Sequence, residues 1–230
     1  MKLPPIDGKT KKQLSLRQQM YEAIKYAIIT CELAPGEPIS ESDLAERFAV
    51  SKTPVREALT SLQQYHFVDY TPNRGFAVST ISIKDVQEIY EARIFYETGL
   101  FRLALRYISD VELRNLERLN DVTLNQEDSE SIDLYLQANT DFHMCIAGAG
   151  RNSRLSRHYQ VILDEAQRLM YMDLKHNNVL LTWHSNHERI ISAIRCRDEA
   201  AGVDAIQEII TNQKMRNFGP AQDSLRSVQT

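Results

Sequence analysis

Lys52, Arg56, Thr60 and Gln63 recur at i, i+4, i+8 and i+11, so a helix over this stretch carries them on one face. Val55, Ala58, Leu59 and Leu62 fall on the opposite face, at the spacing of a core contact. Pro54 fits only the first turn of such a helix, where its missing N–H costs nothing. Ser51 and Thr53 are both N-cap candidates, and Thr53 gains weight because a residue before proline avoids the α region. Either start leaves Ser51, Lys52, Thr53 and Arg56 at an exposed helix N-terminus, the end a recognition helix presents to DNA. The chemistry is binding of a polyanion. Lys52 and Arg56 reach base edges or phosphates, and the Ser51 and Thr53 hydroxyls reach phosphates. A second chemical group is Arg93, an arginine on a mostly apolar helix face. It can clamp a ligand carboxylate bidentately, or pair with Glu97 four residues on, and the two are compatible. Signs of catalysis are missing: no carboxylate pair or nucleophile elbow is recognisable, and His187-Glu188-Arg189 lacks the second His of a metalloprotease helix.

These side chains need a scaffold. An apolar stripe of Leu16, Met20, Ile24, Ala27 and Ile28 defines a first helix over residues 14–31, stopped by Pro35, Gly36 and Pro38. Ser40 caps a short second helix with Asp43 at its third position, and Leu44, Ala45 and Phe48 form its buried face. A very short link leads to the Lys52 helix, which makes a helix-turn-helix. Phe67–Tyr70 and Phe76–Ser79 then have strand composition around the turn Thr71-Pro72-Asn73-Arg74-Gly75. Two strands with a basic tip complete a winged helix. Arg74 is placed to meet a minor groove or phosphate, and Gly75 lets backbone approach closely.

Residues 14–80 resemble the DNA-binding domain of GntR-type transcription regulators. The matching runs are Pro35-Gly36, Leu44–Phe48, Val50–Leu59 and Pro72–Gly75. The family usually carries Arg where this chain has Lys52, and Lys offers a point charge without the bidentate fork. The remainder is similar to the FadR/FCD branch, through Arg93 with Glu97, Asn139–His143, Ala147–Asn152, and His187 followed by Ile190–Ile194 and Asp198. The resemblance implies a transcription regulator, not an enzyme. It implies a homodimer on a palindromic double-stranded operator, since each half-site needs its own recognition helix. A small organic acid is the expected effector, bound near Arg93, Asn139, His143 and His187. Many members of this branch bind a divalent metal such as zinc, nickel or manganese through one Asp and three His. Those positions map to Asn139, His143, His187 and, by ungapped count, Ile209. The set is incomplete here. Asn212 by a shifted alignment, or His184 by helix rotation, would be substitutes. A metal-bound site, a metal-free cavity and a chain without a small ligand all remain open.

The expected architecture is therefore mainly α: an N-terminal winged helix-turn-helix and a C-terminal all-α antiparallel bundle of FCD type. An arm (1–13), a DNA-binding domain (14–80), a helical effector and dimerisation domain (81–217) and a flexible tail (218–230) divide the chain. Helices are expected over 84–108, 110–125, 131–149, 153–175, 179–197 and 200–216. Tyr90, Tyr96, Tyr135 and Tyr171 are candidates to line a cavity among them. A chain with 43% hydrophobic and 25% charged residues is ordinary for a soluble globular protein. The net charge of −4 is uneven: residues 1–80 carry +1 and residues 81–230 carry −5. No run of about 18 apolar residues marks a membrane span, and no apolar leader is seen, so a cytoplasmic location is expected. Cys31, Cys145 and Cys196 are too few and too scattered for a disulfide framework, and are expected as buried, reduced packing residues. The rival reading is a metal-dependent hydrolase with an accessory DNA-binding domain; a third is a repressor that works without an effector.

Overall fold

The computed structural model describes residues 15–125, 129–177 and 183–226, with side chains for 15–125, 130–173 and 187–216. The expected arm, residues 1–13, lies outside the described residues, as does the side chain of His184. The chain divides into two compact units between Ile81 and Ser82.

In the first unit, α1 (Leu16–Ile29) is followed by β1 (Pro38–Ile39), α2 (Glu41–Arg47), α3 (Lys52–Gln64), β2 (Val68–Thr71) and β3 (Gly75–Val78). The α1 stripe buries Met20, Ala23, Ile24, Ala27 and Ile28, while Leu16, expected in that stripe, is exposed as the first residue of the helix. Ser40 caps α2 by accepting from the Asp43 N–H at 3.2 Å. Between α2 and α3 the backbone turns at Ala49, with φ +52°, and Val50 N–H donates to Ala45 O at 3.0 Å. α3 buries Val55, Ala58, Leu59 and Leu62, the four residues that its periodicity marks. Its N-cap is Ser51 rather than Thr53: Ser51 has extended backbone and Thr53 is already helical, so Pro54 is the third helical residue, two deeper in the first turn than a Thr53 cap would place it.

The sheet has three strands where two were expected, all antiparallel in the order β1-β3-β2. β1 is two residues long and begins with proline, so it carries no alternation by which to see it. It is set by the Gly36 turn (φ +77°), whose N–H donates to Val78 O at 2.8 Å.

The second unit contains α4 (Ile83–Tyr107), α5 (Asp110–Asn120), α6 (Ser129–Ala149), α7 (Ser153–Asn177), α8 (Trp183–Cys196) and α9 (Glu199–Arg226). Capping boxes start α4 (Ser82 with Asp85) and α5 (Ser109 with Glu112). α4 is the central rod, packed against α6, α7 and α9; α5 lies on α6 and α8, and α8 on α9. Gly202 sets the closeness of α9 to α4, because a Cβ there would run into the Phe101 ring. Arg151 bridges from the end of α6 to Glu112 at 2.7 and 2.9 Å.

α5 ends five residues before its expected limit of Asn125. α9 remains helical to Arg226, where the sequence stops it at Arg216 and leaves a frayed tail from 218. Gly219 and Pro220 read as a stop, but Ala221, Gln222 and Leu225 beyond them are good helix formers. The expected burial of the cysteines also changes: Cys196 is exposed, and Cys31 and Cys145 are half-buried, all three as free thiols. No described helix is long and apolar enough to cross a membrane.

Candidate functional site

The first candidate surface is the N-terminal end of α3 with the β2–β3 tip. Ser51, Lys52, Thr53, Arg56 and Arg74 are all exposed, and Gly75 is half-buried. Pro72 occupies the second position of the tip turn and Asn73, with φ +66°, the third, a pairing typical of a type II turn; Arg74 N–H donates to Thr71 O at 3.0 Å. Gly75 has φ +81°, a backbone conformation that favours glycine, and a Cβ there would meet nothing within the chain. Behind the tip, Tyr70 faces Phe76 across the strands with ring centroids 4.9 Å apart. Among the described residues, Lys52 and Arg74 form no ion pair. Arg56 does: Nε donates to Glu41 Oε2 at 2.8 Å and Nη2 to Glu41 Oε1 at 3.3 Å. The hydrogen bond from Arg56 to Glu41, followed by the charge itself, raises the arginine pKa further.

The second candidate site lies in the helical unit. The sequence left Arg93 between a ligand clamp and a partner of Glu97; the geometry favours the partner. Its Nε donates to Glu97 Oε1 at 2.8 Å, Nη2 lies 2.8 Å from the same oxygen, and Nη1 donates to Gln213 Oε1 at 2.5 Å. The guanidinium is fully buried and lines neither of the two cavities beside it. Glu97 uses its other oxygen, Oε2, on His143 Nδ1 at 3.1 Å. Burial pushes the Glu97 carboxyl up, but Arg93 and then His143 outweigh it and hold it at about 2. Glu97 is thus a carboxylate, and the proton of that hydrogen bond sits on His143 Nδ1. Nε2 of His143 is buried without a hydrogen-bond partner among the described residues.

One turn earlier on α6, Asn139 is also buried, and both its Oδ1 and Nδ2 lack partners among the described residues. His187 of α8 stacks on Phe142 with centroids 3.9 Å apart and planes 6° from parallel, and its ring meets His143 edge-on at 5.2 Å. Asn139 and His187 line a small hollow with Tyr135, Leu119, Asn120, Val122 and Ala138. Glu97 and His143 line another with Leu100, Ile146, Tyr159 and Ile206. Of the four expected tyrosines, Tyr135 lines a cavity, while Tyr90 is buried under Arg93 with its ring 5.7 Å from the guanidinium carbon. Tyr96 stacks on Tyr159 at 6.2 Å, and Tyr171 packs against the Tyr135–Leu136–Met170 cluster.

Gln213 and Tyr159 were not found from the sequence. Gln213 had a signal: it is the one polar residue continuing the α9 stripe of Ile206, Ile209 and Ile210. Tyr159 had none, since an aromatic at helical spacing reads as core. Burial, and then Glu97, raise its hydroxyl pKa well above the ordinary range.

The divalent metal implied by the family resemblance does not fit these residues. Asn139 is a neutral amide and Ile209 is a buried hydrocarbon. Asn212, the shifted alternative, is exposed. The one carboxylate at the cluster, Glu97, is consumed by Arg93 and His143 Nδ1. Two imidazoles and an amide leave a divalent ion without the anionic or third imidazole ligand that such sites use. Among the described residues no three His, Cys, Asp or Glu side chains converge on a metal position.

Comparison with known proteins gives this geometry its context. The model of the gntR family of bacterial regulatory proteins matches residues 16–78, and the FCD domain model matches residues 88–212. The Nta operon transcriptional regulator of Aminobacter aminovorans is 30% identical over 214 residues, covering 87% of this chain and 99% of that protein. The transcriptional repressor RspR of Escherichia coli is 27% identical over 202 residues, covering 84% of this chain and 87% of that one. In fold, the chain is similar to the solved structure of E. coli McbR/YncC, with TM-score 0.78 and 21% identity over 90% of this chain and 98% of that one. A GntR structure from Rhodococcus sp. RHA1 gives TM-score 0.73 and 19% identity over 90% and 99%. These relatives are transcription regulators, which sets aside the hydrolase reading. The chain belongs to the GntR family, as a DNA-binding transcription regulator with a C-terminal FCD domain.

Proposed function

We propose that this regulator binds a palindromic operator as a homodimer, and that a small organic acid in its helical unit sets the operator affinity. Lys52, Arg56 and the Ser51 and Thr53 hydroxyls meet the major groove and its phosphates, and Arg74 with Gly75 meets the minor groove. The observation that carries the effector reading is the pair Asn139 and His143: three buried polar atoms without partners among the described residues, one helical turn apart. The Asn139 amide donates to a carboxylate oxygen through Nδ2 and accepts a hydroxyl through Oδ1. His143 Nε2 completes the set, its ring fixed through Nδ1 by Glu97. Arg93 acts one step back, holding Glu97 instead of clamping the ligand. The free space inside each hollow is only about 10 Å³, room for a water-sized group, so effector binding requires the helices around Asn139 and His143 to move apart. An effector that binds the operator-competent and incompetent states unequally shifts their balance by that difference alone.

The test is a thermal shift screen of short mono- and dicarboxylic acids, followed by operator titration with any hit. At least one acid is expected to raise the melting temperature of the wild type and to change operator affinity, with both effects lost in Asn139→Leu. A chain that responds to no acid in either assay is a regulator without an effector, and the proposal fails.

A further inference from the structure

Glu41 is not a residue that the helix-turn-helix pattern marks as functional. It stands at the first position of α2, where an acidic side chain is sufficiently explained by the helix N-terminus. Its carboxylate points elsewhere. It receives Arg56 Nε and Nη2 at 2.8 and 3.3 Å, a two-point contact from the helix before the recognition helix onto the recognition helix itself.

The geometry of the guanidinium decides what this contact does. Of its five N–H donors, Glu41 takes those of one lateral edge. The end of the fork, Nη1 with the outward N–H of Nη2, is left for another acceptor. That end is the one that takes two acceptors of a guanine edge or a phosphate. Arg56 itself is 67% exposed along its side chain while Glu41 is 20% exposed, so the carboxylate is the seated partner and the arginine tip is the one reaching outward. Without Glu41, the arginine stem has no other side-chain hydrogen bond among the described residues to choose its rotamer.

We infer that Glu41 is a positioning residue for operator recognition: it holds Arg56 in the plane and rotamer in which the free end of its guanidinium reads the groove. The inference rests on the reading of α3 as the DNA-contacting helix. It has a rival with the opposite sign. If Glu41 merely occupied Arg56 and had to be displaced by DNA, removing its charge would tighten binding. The same holds if Glu41 acted only as a negative charge near phosphates.

The experiment selects an operator from random duplexes with the wild-type full-length protein. Affinity is then measured for that operator and for a scrambled duplex at fixed salt, with wild type, Glu41→Gln and Glu41→Asp. The aspartate variant keeps the charge and the helix start but withdraws the carboxylate from its two-point contact, so it remains informative if the glutamine variant folds poorly. Both variants are expected to lose at least 5-fold in operator affinity with scrambled-DNA affinity unchanged or tighter, so that the ratio between the two duplexes falls. The loss is expected to vanish in an Arg56→Ala background, which a purely structural defect would not do. Operator binding by both variants that equals or exceeds wild type overturns the inference alone. A wild type that does not distinguish the two duplexes overturns the reading of α3 and the inference with it.

Discussion

Arg56 and Arg93 each place a guanidinium nitrogen 2.8 Å from a glutamate, yet one side chain is 67% exposed and the other 0%. In the winged-helix unit the partner takes one edge of the guanidinium and leaves the end outside. In the helical unit Glu97 and Gln213 enclose it, and Arg93 has become a strut that fixes Glu97 under His143. On the proposed reading, the same pair of residue types is a reader in one unit and a support in the other. What separates them is burial, because desolvation makes an unmet charge costly.

Breaking the buried pair is the largest expected effect. Glu97→Gln leaves Arg93 buried beside a neutral amide and is expected to lower unfolding free energy by about 3–5 kcal/mol in urea denaturation. Because Glu97 sits at about 2 when folded, below its ordinary value of 4.5, its stabilisation is complete above pH 4.5. It is lost as pH falls from there toward 2, so the gap between wild type and variant narrows over that window. A loss under about 1 kcal/mol at neutral pH would remove the distinction between strut and reader.

The exposed pair should behave in the reverse sense. Arg56→Ala is expected to cost about 1–3 kcal/mol of operator affinity by fluorescence anisotropy at matched salt. Its melting temperature should stay close to wild type, since exposed ion pairs contribute little to stability. A variant that melts much lower but still binds the operator would exchange the two roles.

Glu165 sharpens the comparison from a third position, a carboxylate whose arginine is outnumbered. Burial, with Asp85 and Asp164 nearby, raises it to about 7 against the opposing pull of Arg168. The folded state holds that proton more tightly than the unfolded chain, so wild-type stability falls as pH rises from about 4.5 through 7. Glu165→Gln is expected to melt above wild type at pH 8, by an amount on the order of 1–2 kcal/mol, and to converge with it near pH 5. Equal melting at both pH values would show that Glu165 ionises freely.

The smallest expected effect is that of metal. Zinc, nickel or manganese added to the chelator-treated protein should shift its melting temperature by no more than about 1 °C. A rise of several degrees at micromolar metal would mean that Asn139, His143 and His187 complete a coordination set after all.

The winged helix was legible because its signals are local. The α3 face, the Ser40 cap and the Pro72–Gly75 tip each follow from spacing and turn chemistry within a dozen residues. The order of the long helices was legible for the same reason. What was hidden depends on distant partners. β1 is two residues that exist as a strand only because β3 lies beside them. Gln213 meets Arg93 across 120 residues of sequence, and Glu41 meets Arg56 across a helix boundary. The choice between Arg93 as clamp and as strut turned on burial, which residue spacing does not report.

The central claim, that the α3 face reads a specific operator, is tested most directly by one ratio. Anisotropy with the wild-type protein would compare an operator selected in vitro with a scrambled duplex of equal length at about physiological salt. A preference of about 10³-fold or more is expected, as for specific DNA readers. Equal affinity for the two duplexes, declining together with salt, would reduce the face to a non-specific basic surface and contradict the account.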